Sequence, residues 1–153
     1  MVFKASLDAM AKVITIGIAF IFACLILLPF LELSARYDER LFIAAIVFAV
    51  YLVAWLYRPT QYGINADALE IYRPVGKIII SKSGIVTAQI LNGAPIAIGG
   101  LFGYFGAFYN FQSGNMAYDI TNRQNCIMIT TNDNRQSVIS PDEKELFLTA
   151  LLQ

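Results

Sequence analysis

The sequence predicts a membrane-embedded α-helical hairpin over residues 1–60, followed over residues 61–153 by a mainly β domain that ends in one α-helix. Two long apolar runs without charge near the N-terminus predict the hairpin. Short strand-like runs separated by turn residues predict the β domain, and a helix-start motif before an amphipathic segment predicts the terminal helix. The first part is therefore expected in lipid and the second in water.

The composition explains why part of the chain is expected in lipid. Of the 153 residues, 58% are hydrophobic and only 14% are charged, and the mean hydropathy is +0.60. Soluble domains contain about 45–50% apolar and about 25% charged residues, so the apolar excess needs a non-aqueous environment. The net charge of zero and the pI of about 6.2 argue against a nucleic-acid partner.

The two membrane spans are predicted at about residues 13–33 and 41–57. The charge-free run from Val13 to Leu31 would extend roughly 28 Å as a helix, which is close to the thickness of the hydrocarbon core. The connector at residues 32–40 is rich in charged residues. Because charges are costly in hydrocarbon and a connector leaves backbone groups unpaired, we expect it in water or among headgroups.

The ends of the runs distinguish the hairpin from two alternatives. Trp55 and Tyr57 close the second run as interfacial anchors, and Pro59 ends its helix. A cleaved signal peptide is disfavoured, because the first run exceeds an apolar region of about 7–15 residues and Leu33 fits its cleavage motif poorly. A soluble helical bundle is disfavoured because neither run has a polar face.

Positive charge sets the expected orientation of the hairpin. Basic residues are more frequent beside the outer ends of the two runs than in the connector. We therefore expect a multi-pass protein of the cytoplasmic (inner) membrane with both termini in the cytoplasm. The residues on which this depends are Lys4, Lys12, Arg58, Arg73 and Lys77 at the outer ends, against Arg36 and Arg40 in the connector.

The segment after the hairpin contains short strand-like runs at regular intervals. Asn, Asp, Ser and Gly, which tolerate tight turns, lie between most of them. Seven such strands predict a small sandwich or a rolled sheet. The predicted strands are residues 62–64, 69–73, 77–80, 85–91, 116–120, 126–131 and 137–139.

The last helix is predicted over residues 141–152. Ser140 is the expected N-cap, Pro141 takes the first helical position, and Glu143 completes a capping box. One apolar face then repeats at helical spacing, which indicates packing against the sheet. Its members are Leu146, Phe147, Ala150 and Leu151.

Three motifs in the C-terminal part resemble the bacterial pleckstrin-homology (PH) domain family. They are the glycine-aromatic segment 98–108, the Met-Ala-Tyr-Asp-Ile-Thr segment 116–121 and the Ile-Ser-Pro-Asp segment 139–142. The resemblance covers about residues 61–153. It implies a PH-like seven-stranded roll or barrel that is capped by the C-terminal helix, in a family whose members combine such a domain with transmembrane helices. It implies no general enzymatic activity.

The segment 92–115 is predicted to be a long loop in which glycines alternate with aromatic residues. No phosphate-binding glycine motif occurs in it. Its aromatic side chains either fold inward to fill the mouth of the roll or project outward onto the bilayer or a partner. The candidate membrane or partner contacts are Leu101, Phe102, Tyr104, Phe105 and Phe108.

Catalytic and metal chemistry have little support in the sequence. The chain has no histidine, which is the most common general base and metal ligand. Cys24 and Cys126 are far apart in sequence and suggest neither a zinc site nor a disulfide framework. We therefore expect a protein that is not an enzyme and binds no metal or cofactor.

The favoured hypothesis is a membrane-anchored, non-catalytic binding or assembly module. Its expected partners are the lipid bilayer and either another membrane protein or a second copy of itself. One alternative is a sensor of anionic lipid at the membrane surface. A small transporter subunit is less favoured, because neither charge-free run contains an acidic or basic residue to mark an ion path. The candidate headgroup contacts are Arg58, Arg73, Lys77 and Lys82.

Overall fold

The computed structural model describes residues 1–31, 37–93, 98–101, 105–110 and 114–153. The described residues form three α-helices, ten strands and one short 3-10 turn. In chain order these are β1 (Val2–Lys4), α1 (Ala9–Leu31), α2 (Tyr37–Tyr57), β2 (Gln61–Ile64), β3 (Ala68–Tyr72), β4 (Lys77–Ser81), the 3-10 turn (Lys82–Gly84), β5 (Ile85–Ile90), β6 (Ile98–Leu101), β7 (Phe105–Asn110), β8 (Gly114–Asp119), β9 (Ile127–Thr131), β10 (Gln136–Ile139) and α3 (Lys144–Leu152).

The strands form two sheets that enclose the main hydrophobic core. The first sheet is antiparallel with the order β1-β2-β3-β4, and the second has the order β5-β9-β10-β8-β7-β6. Within the second sheet β10 and β8 run parallel, and the other neighbouring pairs are antiparallel. Alternation along the strands sends one face of each sheet inward. The inward side chains include Tyr62, Leu69 and Ile71 from the first sheet, Ile127, Ile129 and Ile139 from the second, and Phe147 and Leu151 from α3.

The N-terminal strand β1 belongs to the β domain, although the sequence suggested no strand there. Phe3 pairs with Tyr62 of β2, and the Met1 amino group donates a hydrogen bond to the Ile64 carbonyl at 2.7 Å. The Phe3 side chain is only 7% exposed, and its ring lies edge-on to Phe147 with centroids 5.1 Å apart. The helical hairpin is therefore an insertion between two adjacent strands of one sheet.

The base of the hairpin packs on the outer face of the second sheet. Ala11 of α1 is buried in a second core beside Met116, Tyr118 and Val138. Asp8 fastens this contact, because its carboxylate accepts hydrogen bonds from the backbone N–H of Ala11 at 2.6 Å and of Arg123 at 3.0 Å. The first bond caps α1 and the second reaches the β8–β9 connection, so the helix start is fixed to the domain.

Beyond its base, the hairpin exposes apolar side chains. The helices contact each other through Phe22 and Phe48, whose ring centroids are 5.4 Å apart, while Phe20 and Phe42 are 69% and 68% exposed. Among the described residues, we find no helix that combines the length and the hydropathy needed to cross a membrane. The exposed apolar side chains include Val13, Ile16, Ile21 and Leu27 of α1 and Ile43, Ile46, Val50 and Val53 of α2.

All seven predicted strands are confirmed, but the count of seven is wrong. The segment 92–115, predicted as a loop, contains β6, β7 and the start of β8. Aromatic residues favour strands, whereas glycines do not. The antiparallel pairing of β7 with β8 stabilises the strands despite the glycines. With β1, three strands were therefore missed.

The C-terminal helix is confirmed, but its predicted cap is wrong. Helix α3 begins at Lys144 rather than at residue 141, and Glu143 stands at its N-cap without a side-chain hydrogen bond. Ser140 instead accepts hydrogen bonds through Oγ from the backbone N–H of Thr121 at 2.8 Å and of Asn122 at 3.1 Å. The Ser140 hydroxyl therefore makes a tertiary contact with the segment after β8 instead of capping α3.

Candidate functional site

A cleft lies where the base of the hairpin meets the β domain, which we call the apolar basal cleft. Its volume is about 550 Å³ when its open mouth is included. Helix α1 contributes Ile14 and Ile18, α2 contributes Ala54 and Trp55, and the residue after β8 contributes Ile120. Three separate segments of the chain converge here only because α1 is docked on the second sheet.

Arg58 stands at the rim of the apolar basal cleft, directly after α2. Its guanidinium carbon lies 3.5 Å from the centroid of the Trp55 ring, which is a cation–π contact. Its Nε atom is buried and has no hydrogen-bond partner within the part of the chain that the structure describes. A buried donor left unpaired costs about 1–3 kcal/mol, so this group favours an additional acceptor.

A second cleft, which we call the cationic basal cleft, adjoins the first. Its volume with its open mouth is about 630 Å³, and Lys12 and Arg58 supply its charged side chains. No carboxylate is present among its described lining residues, which are otherwise apolar or carry hydroxyl groups. Leu7, Arg58 and Thr121 line both clefts. The two clefts therefore form one amphipathic site with an apolar half and a positively charged half.

A buried polar network supports the wall of this site at Thr121. The hydroxyl of Tyr62 donates a hydrogen bond to the Asp119 carbonyl and accepts one from the Ser140 backbone N–H at 3.2 Å. Ser140 Oγ then holds the backbone of Thr121. Burial raises the pKa of the Tyr62 hydroxyl, so it stays protonated and able to donate. This network fixes Thr121 relative to the main core.

An ion pair completes the network at the end of β8. Arg73 Nη2 donates a hydrogen bond to Asp119 Oδ1, and the Asp119 side chain is almost fully buried. Burial raises the pKa of the Asp119 carboxyl, while the guanidinium of Arg73 opposes that rise by charge attraction and hydrogen bonding. Removing either partner would leave the other charge buried and unpaired.

A model of the bacterial PH domain family matches residues 60–153, which is more than half of the chain. The chain belongs to the bacterial PH domain family. Comparisons with curated proteins and with solved structures give no match. The family resemblance noted in the sequence is thereby confirmed, as is a mainly β PH-like domain of two sheets with a C-terminal helix. The match begins after the hairpin and so leaves out β1, which supplies an edge strand of the PH domain here.

The four predicted headgroup residues have different surroundings in the PH domain. Arg58 lines both basal clefts, whereas Arg73 pairs with Asp119. The Lys77 ammonium lies 2.6 Å from Glu70 Oε1 and, with its hydrogen bond, lowers the pKa of that carboxyl. Lys82 is half-buried in the turn after β4, at the opposite end of that strand from Lys77. Arg58 is thus the predicted residue that belongs to the amphipathic site.

Three of the five predicted membrane or partner contacts lie in strands within the segment 92–115. Leu101 ends β6, and Phe105 and Phe108 belong to β7. Their side chains, and the whole of Phe102 and Tyr104, lie outside the described residues. Whether these aromatic groups face inward or outward stays a prediction.

Lys12 and Thr121 are site residues that sequence reasoning did not assign. In the sequence Lys12 is only a positive charge before the first apolar run, whereas in the structure it lies one turn inside α1 and lines a cleft with Arg58. Trp55 was seen as an anchor, and its spacing of three residues before Arg58 was the available signal for a helical contact between them. Nothing in the sequence places Thr121 against the hairpin, because that contact depends on the docking of α1.

A second groove opens beside β4, the edge strand of the first sheet. Its volume is about 1280 Å³ with its open mouth, and Ile78 and Ile80 line it from β4. Ala117 and Ser137 line it from β8 and β10. Gln136 also lines it and has a buried Oε1 atom that lacks a partner among the described residues. This groove between the two sheets offers space for an extended segment.

Proposed function

We propose that this protein is a membrane-anchored, non-catalytic binding module whose helical hairpin holds a PH domain at the cytoplasmic face of the inner membrane. The observation that carries the proposal is the apolar surface of the hairpin, which begins where the contact with the domain ends. Large contiguous apolar patches on soluble proteins generally mark an interaction with protein or membrane.

The amount of exposed apolar surface favours lipid as its environment. Ile16, Phe20 and Phe42 are each about two-thirds exposed to water in the isolated chain. Transfer of one such side chain from water to an apolar medium contributes about 1.5–3 kcal/mol. Helices α1 and α2 contain 23 and 21 residues. Their charge-free parts, residues 13–31 and 41–57, would extend about 28 Å and about 26 Å, against the ~30 Å of a bilayer core.

The topology of the PH domain supports a single cytoplasmic location for both ends of the chain. Strands β1 and β2 are neighbours in one sheet, so the hairpin begins and ends at the same point of the domain. Lys4 pairs with Gln61 of β2, and Lys12 and Arg58 line one cleft at the base of the hairpin. Positive charge at the ends of a hairpin favours their retention in the cytoplasm.

A cysteine-labelling experiment on intact cells tests the proposal. In a background in which Cys24 and Cys126 are replaced by serine, we expect Ser34→Cys in the connector to react with an impermeant maleimide applied from outside. The matched variant Ser83→Cys, in the exposed turn after β4, should react only after lysis. Recovery of the full chain in the soluble fraction without detergent, or the reverse labelling pattern, would contradict the proposal.

The groove beside β4 supports a second candidate function, the binding of an extended segment of a partner protein. In the described part of the first sheet, β4 has a neighbour only on its β3 side, and Ile79 is 58% exposed. A free strand edge presents backbone donors and acceptors to such a segment. We expect a photo-crosslinking residue at Ile79 to capture a protein partner or a second copy of this chain in membranes. The same residue at Val86, which is 63% exposed on β5, should not.

A further inference from the structure

We propose that the two basal clefts together bind one anionic phospholipid from the surrounding bilayer. An acyl chain would lie in the apolar basal cleft, and the phosphate would lie in the cationic basal cleft against Arg58 and Lys12. This inference rests on the proposed insertion of the hairpin, since the ligand is drawn from the adjacent membrane.

The polarity of the site follows that of a phospholipid. The apolar basal cleft is walled by Ile14, Ile18 and Ile120, which match an acyl chain. The cationic basal cleft lies beyond Arg58, and its described lining residues include two cations and no carboxylate. Leu7 and Thr121 border both, so one amphiphilic molecule can occupy the two halves at once.

Arg58 is prepared to bind a phosphate. Its guanidinium is held at 3.5 Å from the Trp55 ring, which limits its rotation before any ligand arrives. Its buried Nε lacks a hydrogen-bond partner in the described structure, and the planar guanidinium matches the spacing of two phosphate oxygens. A phosphate in the cationic basal cleft would pair with the charge of the guanidinium that Trp55 holds in place.

Lys12 adds a second positive charge on the same side. Its side chain is exposed and lines the cationic basal cleft with Arg58. Asp8, directly before α1, accepts hydrogen bonds from the backbone N–H groups of Ala11 and Arg123 and so fixes the helix turn that carries Lys12. The site should therefore prefer anionic headgroups to zwitterionic ones, which carry an additional positive charge.

With the hairpin inserted as proposed, the site lies at the membrane surface, so the bilayer is the nearest source of the ligand. Trp55 and Tyr57 lie at the end of α2, where aromatic residues mark the boundary between hydrocarbon and headgroups. A lipid in the adjacent leaflet presents its phosphate at that boundary. Free phosphate would occupy the cationic half alone and would leave the apolar half without a ligand.

Trp55 provides a direct assay, because it is the single tryptophan of the chain and lines the apolar basal cleft. The full chain is placed in nanodiscs of phosphatidylcholine that contain a small fraction of brominated lipid, whose bromine atoms quench tryptophan fluorescence on contact. We expect brominated phosphatidylglycerol to quench Trp55 several-fold more than brominated phosphatidylcholine at equal bromine content. Inorganic phosphate should not reduce this preference.

Two variants and one control assign the preference to the site. Arg58→Gln should reduce the apparent affinity for phosphatidylglycerol about tenfold, which is the scale of one charge-assisted hydrogen bond. Lys12→Gln should reduce it less and, being exposed, should leave folding unchanged. Lys82→Gln removes a positive charge in the turn after β4, which lines neither basal cleft, and should not change the affinity for phosphatidylglycerol.

The outcomes separate this inference from the proposed function. If neither brominated lipid quenches Trp55, the hairpin is not in the bilayer and the proposed function fails. If both lipids quench equally, or the preference survives both Arg58→Gln and Lys12→Gln, the hairpin is inserted but the lipid site is refuted. If inorganic phosphate abolishes the preference, the site binds free anions rather than lipid.

Discussion

Replacing Phe3 tests whether the first strand is part of the PH domain. The Phe3 side chain is 7% exposed and packs edge-on against Phe147 in the main core, far from Phe3 in sequence. Buried Phe→Ala substitutions cost about 3–5 kcal/mol, and a site on an edge strand should fall at the lower end. We therefore expect Phe3→Ala to lower the free energy of unfolding of the domain by about 3 kcal/mol.

Cys126 makes this change measurable in the full-length protein. Its side chain is fully buried, and burial raises the pKa of its thiol to about 11, so the folded domain protects it twice. In a Cys24→Ser background, labelling of Cys126 reports the fraction of open domain when closing is faster than labelling. A loss of 3 kcal/mol corresponds to a labelling rate roughly 150-fold higher.

The adjacent residue supplies the matched control. Val2 lies on the same strand but is 65% exposed, so Val2→Ala should change stability by less than about 0.5 kcal/mol. If Phe3→Ala labels Cys126 no faster than Val2→Ala does, β1 contributes nothing to the domain. The assignment of the hairpin as an insertion within one sheet would then be wrong.

Two further predictions concern the polar contacts of the PH domain. Ser140→Ala removes the acceptor for the backbone N–H of Thr121 and Asn122, so it should destabilise the domain by about 1–3 kcal/mol in the thiol assay without reducing helicity. A loss of helicity would support the capping role instead. The hydrogen bond from Lys77 lowers the pKa of Glu70 in the folded state, so its contribution is present above the unfolded-state pKa and is lost as pH falls through the folded-state pKa. Glu70→Gln should therefore flatten the acid limb of a denaturation series from pH 7 downward, and an unchanged limb would contradict this origin.

The elements that the sequence predicted are those specified by local chemistry. The sequence predicts the strand pair β2 and β3 because Asn65 and Asp67 mark the turn between two apolar runs. Strand β1 has three residues, too few for a periodicity, and its partner Tyr62 lies beyond the whole helical hairpin. Ser140 and Pro141 had the local pattern of a helix start, but the backbone after β8 competed for the Ser140 hydroxyl. Contacts between distant segments decided both of these missed features, β1 and the role of Ser140.

The candidate site was predictable only in part for the same reason. Arg58 is predictable as a site residue because it follows an apolar run. Trp55 is predictable because aromatic residues are enriched at membrane boundaries. The cleft itself requires α1 to lie on the second sheet. That docking depends on Ala11, whose small side chain lets the helix approach the sheet, and on Asp8, whose carboxylate joins two segments that are distant in sequence.

The same docking connects the clefts to the interior of the PH domain. Thr121 forms a wall of both clefts, and its backbone is held by Ser140, which in turn donates a hydrogen bond to the hydroxyl of Tyr62. Tyr62 pairs with Phe3 on the strand that leads into α1. The hairpin is thus connected to the domain twice, through the backbone that joins β1 to α1 and through the buried contacts from Tyr62 to Thr121. Because these contacts form a closed circuit of buried groups, the hairpin and the domain should move as one unit, and a ligand in the clefts would stabilise the domain that it touches only at its edge.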